Sequence, residues 1–326
     1  MSADRATAVA HPNIALVKYW GKRDPDLVLP WTSSLSMTLD VFSTTTTVTL
    51  DPGAGADRVL LDGAPATGEA ARRVVKFLDL VRGMAQRTEP SIVDTRNTVP
   101  TGAGLASSAS GFAALAVAAA TAHGLALDPT GLSRLARRGS GSAARSIFGG
   151  FAVWHAGDDD RTSYAEPVPA TGFDPAMVIA MVDTGPKAVS SRDAMRHTVA
   201  TSPLYRAWVD ASAADLVALR SALARGDLDA VGEIAERNAL GMHATMLAAR
   251  PAVRYLSPET VAVLDTVVDL RRAGVPAYAT MDAGPNVKVL CHRAHADRVA
   301  DAVRSARCTT IVAGVGPGAR LSGGRS

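Results

Sequence analysis

The chain has 326 residues, 47% of them hydrophobic and 20% charged, with a net charge of +3 and a pI near 9.0. That is enough for one large domain or two closely joined lobes with real cores, and the mild basic balance includes no block of basic residues for nucleic acid. The four Trp, five Tyr and six Phe give little for a base-stacking surface.

The first ten residues hold Asp4 and Arg5 and no apolar signal core. The longest apolar run, residues 111–122, is too short to span a bilayer. Cys291 and Cys308 fit reduced thiols. A cytoplasmic chain with neither nucleic-acid nor membrane partner is expected.

In chain order, residues 13–22 and 44–50 read as strands, the second rich in β-branched Thr and Val. A Gly/Pro turn at 51–57 precedes a short strand at 58–62, and Val74, Val75, Leu78 and Val81 fall at helical spacing within 69–87. Residues 91–98 return as a strand into a glycine turn, followed by an Ala-rich helix at 109–123 and a short basic helix at 129–138 that opens on proline. A Gly/Ser segment covers 139–150, and strands are expected at 151–155 and 177–183. Helical patterns cover 203–225, 227–248 and 258–273; strands at 277–282, 287–291 and 309–313 complete the pattern, with a helix at 294–306. From Gly314 the Gly-, Pro- and Arg-rich tail reads as mobile. Strands and helices mix without a regular beat, which predicts an α+β fold, with a lobe boundary in the Pro/Gly-containing stretch 165–175.

Several segments carry chemistry. In residues 97–111, Pro100, Gly102, Ala103, Gly104, Leu105, Ala106, Ser107 and Ser108 form a small-residue turn ahead of a helix. Such a turn can aim backbone N–H groups and hydroxyls at a phosphate, or be a tight turn with a serine cap. It lacks the Lys of a Walker loop and the third glycine of a dinucleotide fingerprint. Ser140, Ser142 and Arg145 offer two hydroxyls and a guanidinium to a carboxylate or phosphate; a flexible loop with a solvated arginine is the plain alternative.

In an extended strand Lys18, Trp20 and Lys22 would share one face and could hold an anion, or guard a sheet edge. Asp282 ends an apolar strand before Gly284-Pro285, a place for a general base or an Asx turn. Residues 189–193 offer phosphate donors or a helix cap with Asp193 in the first turn. The histidines and cysteines show no metal-ligand spacing, so no structural metal is expected.

Taken together, residues 13–24, 29–39, 100–110, 138–150, 189–202 and 282–286 closely resemble the diphosphomevalonate decarboxylase family. The family belongs to the galactokinase–homoserine kinase–mevalonate kinase–phosphomevalonate kinase superfamily. Lys-Tyr-Trp-Gly-Lys-Arg-Asp at 18–24 and Gly-Ser-Gly-Ser-Ala-Ala-Arg-Ser at 139–146 are the specific parts; the glycine turn is shared across the superfamily.

The resemblance implies a two-lobed small-molecule-kinase-like fold: a ribosomal protein S5 domain 2-like N-terminal lobe (1–170), an α/β sandwich C-terminal lobe (171–315) and a tail (316–326). It implies ATP and Mg²⁺ as cofactors, a homodimer, and ATP-dependent conversion of mevalonate 5-diphosphate to isopentenyl diphosphate, ADP, phosphate and CO2. It further implies Asp282, Arg145 and Lys18 at the reacting centre, and Asn13, Tyr19, Lys22, Ser140, Ser142, Ser191 and Arg192 around the substrate. Pro100 and Gly102–Ser108 would cradle ATP, with the hydroxyl of Ser107 on the metal. Thr32 and Ala144 depart from the family pattern; Thr32 stands where an asparagine is common and cannot supply its amide.

Related activities compete: a decarboxylase of mevalonate 5-phosphate, or a mevalonate 3-kinase. A catalytically inactive nucleotide-binding regulator would lack Asp282 or Arg145, and both are present.

Overall fold

The computed structural model describes residues 4–98, 107–172, 174–182, 189–304, 306 and 308–323. Among them lie three larger sheets and one two-stranded ribbon. The first sheet orders its strands Arg320–Leu321, Arg5–Ala10, Thr44–Leu50, Ser91–Asn97, Arg58–Leu61 and Ala64–Pro65. Thr44, Thr46, Val48 and Leu50 are buried while the threonines between them are half-buried, the two-residue alternation of a one-sided sheet. The helix Ser107–Ala122 lies on this sheet. Its long run of alanines lets helix and sheet backbones approach closely, and Thr44 Oγ1 meets Ser110 Oγ at 2.7 Å across the contact.

The second sheet runs Ala165–Val168, Phe151–Trp154, Ser34–Thr38, Asn13–Val17. Its two faces differ in chemistry. Leu35, Met37, Ile14, Leu16 and Val153 join one apolar core, while Ser34 and Ser36 turn to the opposite side, where they meet Arg145.

The third sheet, Ala277–Met281, Val287–His292, Pro175–Met181 and Thr309–Ala313, is antiparallel throughout. Helices Pro258–Arg272 and Ala296–Arg304 cover one face. Helix Leu228–Leu247 covers the other, and it also packs on the strand Asn13–Val17. One helix is thus clamped between the second and third sheets and sets the spacing of the two halves of the cleft.

The expected α+β class is what the chain adopts. Residues 314–323 differ from the mobile tail expected there. Gly316 N–H donates to the Thr38 carbonyl at 2.8 Å, Gly150 N–H donates to Gly316 at 3.0 Å, and Arg320–Leu321 pairs with Arg5–Ala10. The glycines that suggested mobility allow close backbone approach instead: a Cβ at Gly318 would meet Gly149 N at 2.8 Å. Among the described residues no helix is long and apolar enough to cross a membrane.

Candidate active site between the sheets

A cleft of about 690 Å³ opens where the second sheet, the third sheet and the helices Gly68–Ala85 and Ser191–Thr201 converge. Asn13, Lys18, Tyr19, Lys22, Ser108, Ser140, Ser142, Arg145, Ser191, Arg192 and Asp282 all line it. Of the expected ATP-loop residues, Pro100, Gly102, Ala103, Gly104, Leu105 and Ala106 lie outside the described residues, as does the side chain of Ser107.

The reading of residues 13–22 as one strand is corrected by the path of the chain. The strand ends at Val17, after a bulge between Ala15 and Val17. Lys18 N–H leaves the sheet ladder and donates to Asn238 Oδ1 at 2.8 Å. Gly21 has φ of 98°, open to glycine, and a Cβ there would run into the hydroxyl of Tyr205, which donates to the Trp20 carbonyl at 2.6 Å. Lys18, Trp20 and Lys22 therefore do not share a strand face: Lys18 turns to Asp282, Trp20 packs among Tyr205, Trp208 and Met242, and Lys22 enters a two-stranded ribbon with Leu29–Pro30.

Arg145 sits on a short helix, Ala143–Ser146, inside the segment that read as a Gly/Ser loop. It is 2% exposed, so the solvated-arginine alternative does not hold. Its guanidinium donates to Asn13 Oδ1 at 3.2 and 3.3 Å, to Ser36 Oγ at 2.9 Å and to Ser34 Oγ. These partners are neutral. Burial pulls its pKa down to about 10, still fully cationic near neutrality. A buried guanidinium held by neutral oxygens is a built receptor for a carboxylate. Asn13 is fixed in turn by donating to Ser146 Oγ at 2.7 Å and to the Ser142 carbonyl at 3.0 Å.

Asp282 follows the strand Ala277–Met281 and keeps a third of its side chain open to the cleft. Its carboxylate engages two ammonium groups, which replaces the Asx-turn alternative. Lys18 Nζ lies 2.8 Å from Oδ1, and Lys288 Nζ lies 3.3 Å from Oδ2. Burial would raise the Asp282 pKa, but the two lysines outweigh it and hold the carboxyl well below its usual range. Burial brings the Lys18 pKa down to about 8, with Asp282 opposing.

A second group of cations stands at the cleft's other end. The Lys22 pKa falls to about 8, chiefly by burial and then by the nearby Arg192 and Arg73. Tyr19 lies between the two groups, with its charge interactions divided between Arg145 and Arg192. Its hydroxyl is buried without a hydrogen-bond partner. Ser140 Oγ is 3.4 Å from both Ser108 Oγ and Ser142 Oγ, which brings the start of the Ala-rich helix against this end. Gly141 is required here, because a Cβ would meet Trp154 at 2.7 Å and Tyr19 at 3.0 Å. The helix-cap reading of residues 189–193 holds: Ser190 Oγ accepts from Asp193 N–H at 3.1 Å, and the cap presents Ser191 and Arg192 to the cleft.

Several residues around the site, Arg73 among them, escaped the sequence reading. Ser34 and Ser36 orient Arg145, and their alternation in a strand was the available signal. Lys288 interrupts an apolar strand, an anomaly readable in the sequence. Asn238 and His243 come from the clamped helix, and nothing local marks them. His243 is 3% exposed and places Nε2 at 3.2 Å from the Asp282 carbonyl. Since a carbonyl only accepts, Nε2 carries the hydrogen; burial, then Lys18, brings the His243 pKa down to about 4, so the ring is neutral.

The chain has counterparts among known proteins. Residues 10–165 match the model of the diphosphomevalonate decarboxylase-like N-terminal domain, and residues 177–313 match the mevalonate 5-diphosphate decarboxylase C-terminal domain. The chain belongs to the diphosphomevalonate decarboxylase family. It is 38% identical to the diphosphomevalonate decarboxylase of Aspergillus fumigatus, over 92% of this chain and 80% of that one. It is 34% identical to the phosphomevalonate decarboxylase of Haloferax volcanii, over 96% of each chain. A solved structure described as "MDDEF in complex with MVAPP, AMPPCP and Magnesium" superimposes with a TM-score of 0.93 at 46% identity, over 98% of each chain. Thr32 donates its hydroxyl to the Lys18 carbonyl at 3.2 Å and so supports the segment that carries Lys18.

Proposed function

We propose that the chain catalyses the ATP-dependent decarboxylation of mevalonate 5-diphosphate to isopentenyl diphosphate, ADP, phosphate and CO2. The observation that carries this reading is the pairing, in one cleft, of a buried Arg145 held by neutral oxygens with the Lys18–Asp282 ion pair. A carboxylate receptor beside the group that meets the hydroxyl fits a substrate whose C1 carboxylate must be held in line with C3 as it leaves. Family membership and the solved neighbour with MVAPP and AMPPCP support it.

The chemistry follows from the residues. A tertiary 3-hydroxyl is a crowded nucleophile and, as hydroxide, a poor leaving group; phosphorylation turns it into a good one. Asp282 meets that hydroxyl and orients it, taking its proton as the new P–O bond forms. Its low basicity suits a loose transfer in which the proton leaves late. Arg145 grips the C1 carboxylate through paired N–H groups and fixes C1 relative to C3. When the 3-phosphate departs, the C1–C2 bonding pair becomes the C2=C3 double bond and C1 leaves as CO2. Lys18, between Asp282 and the carboxylate site, holds Asp282 in place and offers positive charge to the reacting end.

At the other end, Lys22, Arg192 and Arg73 match a diphosphate, with Tyr19, Ser140, Ser142 and Ser191 as hydroxyl donors. The unpartnered Tyr19 hydroxyl fits an anionic oxygen. The ATP phosphates would lie over the N-terminus of helix Ser107–Ala122, where backbone N–H groups and the hydroxyl of Ser108 are offered. A Mg²⁺ ion takes hard oxygen ligands; the family resemblance implies that the hydroxyl of Ser107 would be one of them, whereas Asp282 is committed to two ammonium groups. Bound there with ATP, it would neutralise charge between the phosphates.

Two lobes that divide near residue 170, with 316–326 as the terminal segment, remain our reading. The membership of Ala165–Val168 and Pro175–Met181 in different sheets supports it. A homodimer and a cytoplasmic setting are proposed on the family resemblance.

The Haloferax relative favours mevalonate 5-phosphate as a second candidate substrate. Purified chain with Mg-ATP is offered each phosphate in turn and kcat/KM is compared. We expect the diphosphate to be preferred, because three cations gather where its terminal group would lie. Brisk turnover of the monophosphate with none of the diphosphate would overturn the substrate assignment.

A further inference from the structure

Among the described residues the reacting end of the cleft holds one carboxylate, Asp282, against three buried or nearly buried cations, Lys18, Lys288 and Arg145. Stability alone calls for one ammonium to pair one carboxylate; a further buried cation is a cost. Lys288 is that excess charge. It is 1% exposed and lies in the middle of a sheet, opposite Ile179 on one neighbouring strand and Thr280 on the other. On the strand Val287–His292, Val287, Val289 and Cys291 face the apolar core, and Lys288 points to the opposite side, where it reaches Asp282. Its Nζ also donates to the Asn286 carbonyl at 3.3 Å, which fixes the ammonium behind the carboxylate.

We propose that Lys288 is a positioning residue for the reaction: by holding Oδ2 of Asp282 while Lys18 holds Oδ1, it sets the direction in which that carboxylate meets the 3-hydroxyl. This rests on Asp282 being the group that meets the hydroxyl. With one ammonium on each oxygen the carboxylate cannot swing about its χ2 axis, so its plane is fixed before substrate arrives. The same two charges keep it ionised. The other groups facing it are Arg145, from the helix Ala143–Ser146, and the neutral His243, from the helix Leu228–Leu247. Removing Lys288 takes away one of two strong acidifying charges and leaves the carboxylate hinged on Lys18 alone.

Lys288→Met keeps the length of the side chain and removes the charge; Lys288→Arg keeps the charge; Asp282→Asn controls for the underlying reading. For Lys288→Met we expect a kcat lower by about tenfold or more, KM for both substrates within about twofold, and an acid limb of the kcat–pH profile moved to higher pH. The melting temperature should be unchanged or higher, because like-charge repulsion is relieved. Lys288→Arg should recover part of kcat and the original acid limb. A Lys288→Met enzyme with wild-type kcat and pH profile would overturn the proposal. So would a loss of stability and activity together that Lys288→Arg restores with no shift of the acid limb at any stage. If Asp282→Asn turns over normally, the assignment of Asp282 itself fails; if it is inactive while Lys288→Met is normal, only the role of Lys288 fails.

Discussion

Arg192, in the first turn of the helix Ser191–Thr201, forms a 2.9 Å ion pair with Glu69 at the start of the helix Gly68–Ala85. The pair spans the mouth of the cleft and occupies a cation that the proposed diphosphate needs. Both side chains are more than half exposed, so the pair is weak and displaceable. Glu69→Gln should free Arg192 and lower KM for the diphosphate substrate up to about fivefold, with kcat little changed. Steady-state kinetics at low ionic strength, where the pair is least screened, measures it; an unchanged or raised KM would show that Glu69 does not compete with substrate.

Arg145→Lys keeps a positive charge but gives up the paired N–H geometry and the contacts to Ser34, Ser36 and Asn13. We expect kcat to fall by about 10²-fold, with a smaller change in KM for ATP. Parallel measurement of ADP and CO2 would show whether phosphorylation survives when decarboxylation is lost.

Asn238 is 2% exposed and joins two halves of the molecule. It accepts from Lys18 N–H and donates to Ser212 Oγ at 3.1 Å and Asp215 Oδ2 at 2.9 Å. Asn238→Leu takes this partner from Lys18 N–H and Ser212 Oγ in the interior, while Asp215 keeps Arg237, a loss of about 1–3 kcal/mol in urea unfolding. The variant should also lose activity at temperatures where it is fully folded, because Lys18 is no longer anchored.

Activity should depend on pH through the two lysines. Lys18 and Lys22 both have pKa values lowered to about 8, burial being the largest cause in each. In the free enzyme both lose their protons as pH rises past that value, so kcat/KM should fall above about pH 8. Bound anions favour the charged ammonium, so the basic limb of kcat should lie at higher pH. The sign for stability is opposite: a lysine whose folded pKa lies below its unfolded value destabilises the fold at lower pH, and that cost is relieved as pH rises between the two. Activity and the lysine contribution to stability should therefore diverge on the alkaline side, which pH profiles of kcat/KM and of urea midpoints for Lys22→Met and the parent would reveal.

Much of the fold could be read locally. The Thr/Val alternation at 44–50, the helical spacing after Gly68 and the paired helices around Gly226 all depend on near neighbours, and they formed as expected. The failures share a cause. Lys18-Tyr19-Trp20 alternates like a strand, but its backbone is taken by Asn238, more than two hundred residues away in sequence. The tail after Gly314 has the composition of a mobile end, yet its partners are Thr38 and the strand Arg5–Ala10. At the site, residue types next to glycines and turns were legible, because close backbone approach leaves a mark in the sequence. The groups that hold them in place were less so: Asn238 and His243 sit in a helix whose pattern announces only a core.

The most direct test of the central claim is stoichiometry. The chain is incubated with Mg-ATP and mevalonate 5-diphosphate, and ADP, inorganic phosphate and CO2 are followed together. A single cleft that uses Asp282 to phosphorylate the 3-hydroxyl and Arg145 to direct decarboxylation predicts equal amounts of all three at every time point. ADP formed without matching CO2 and phosphate would contradict it and leave a kinase.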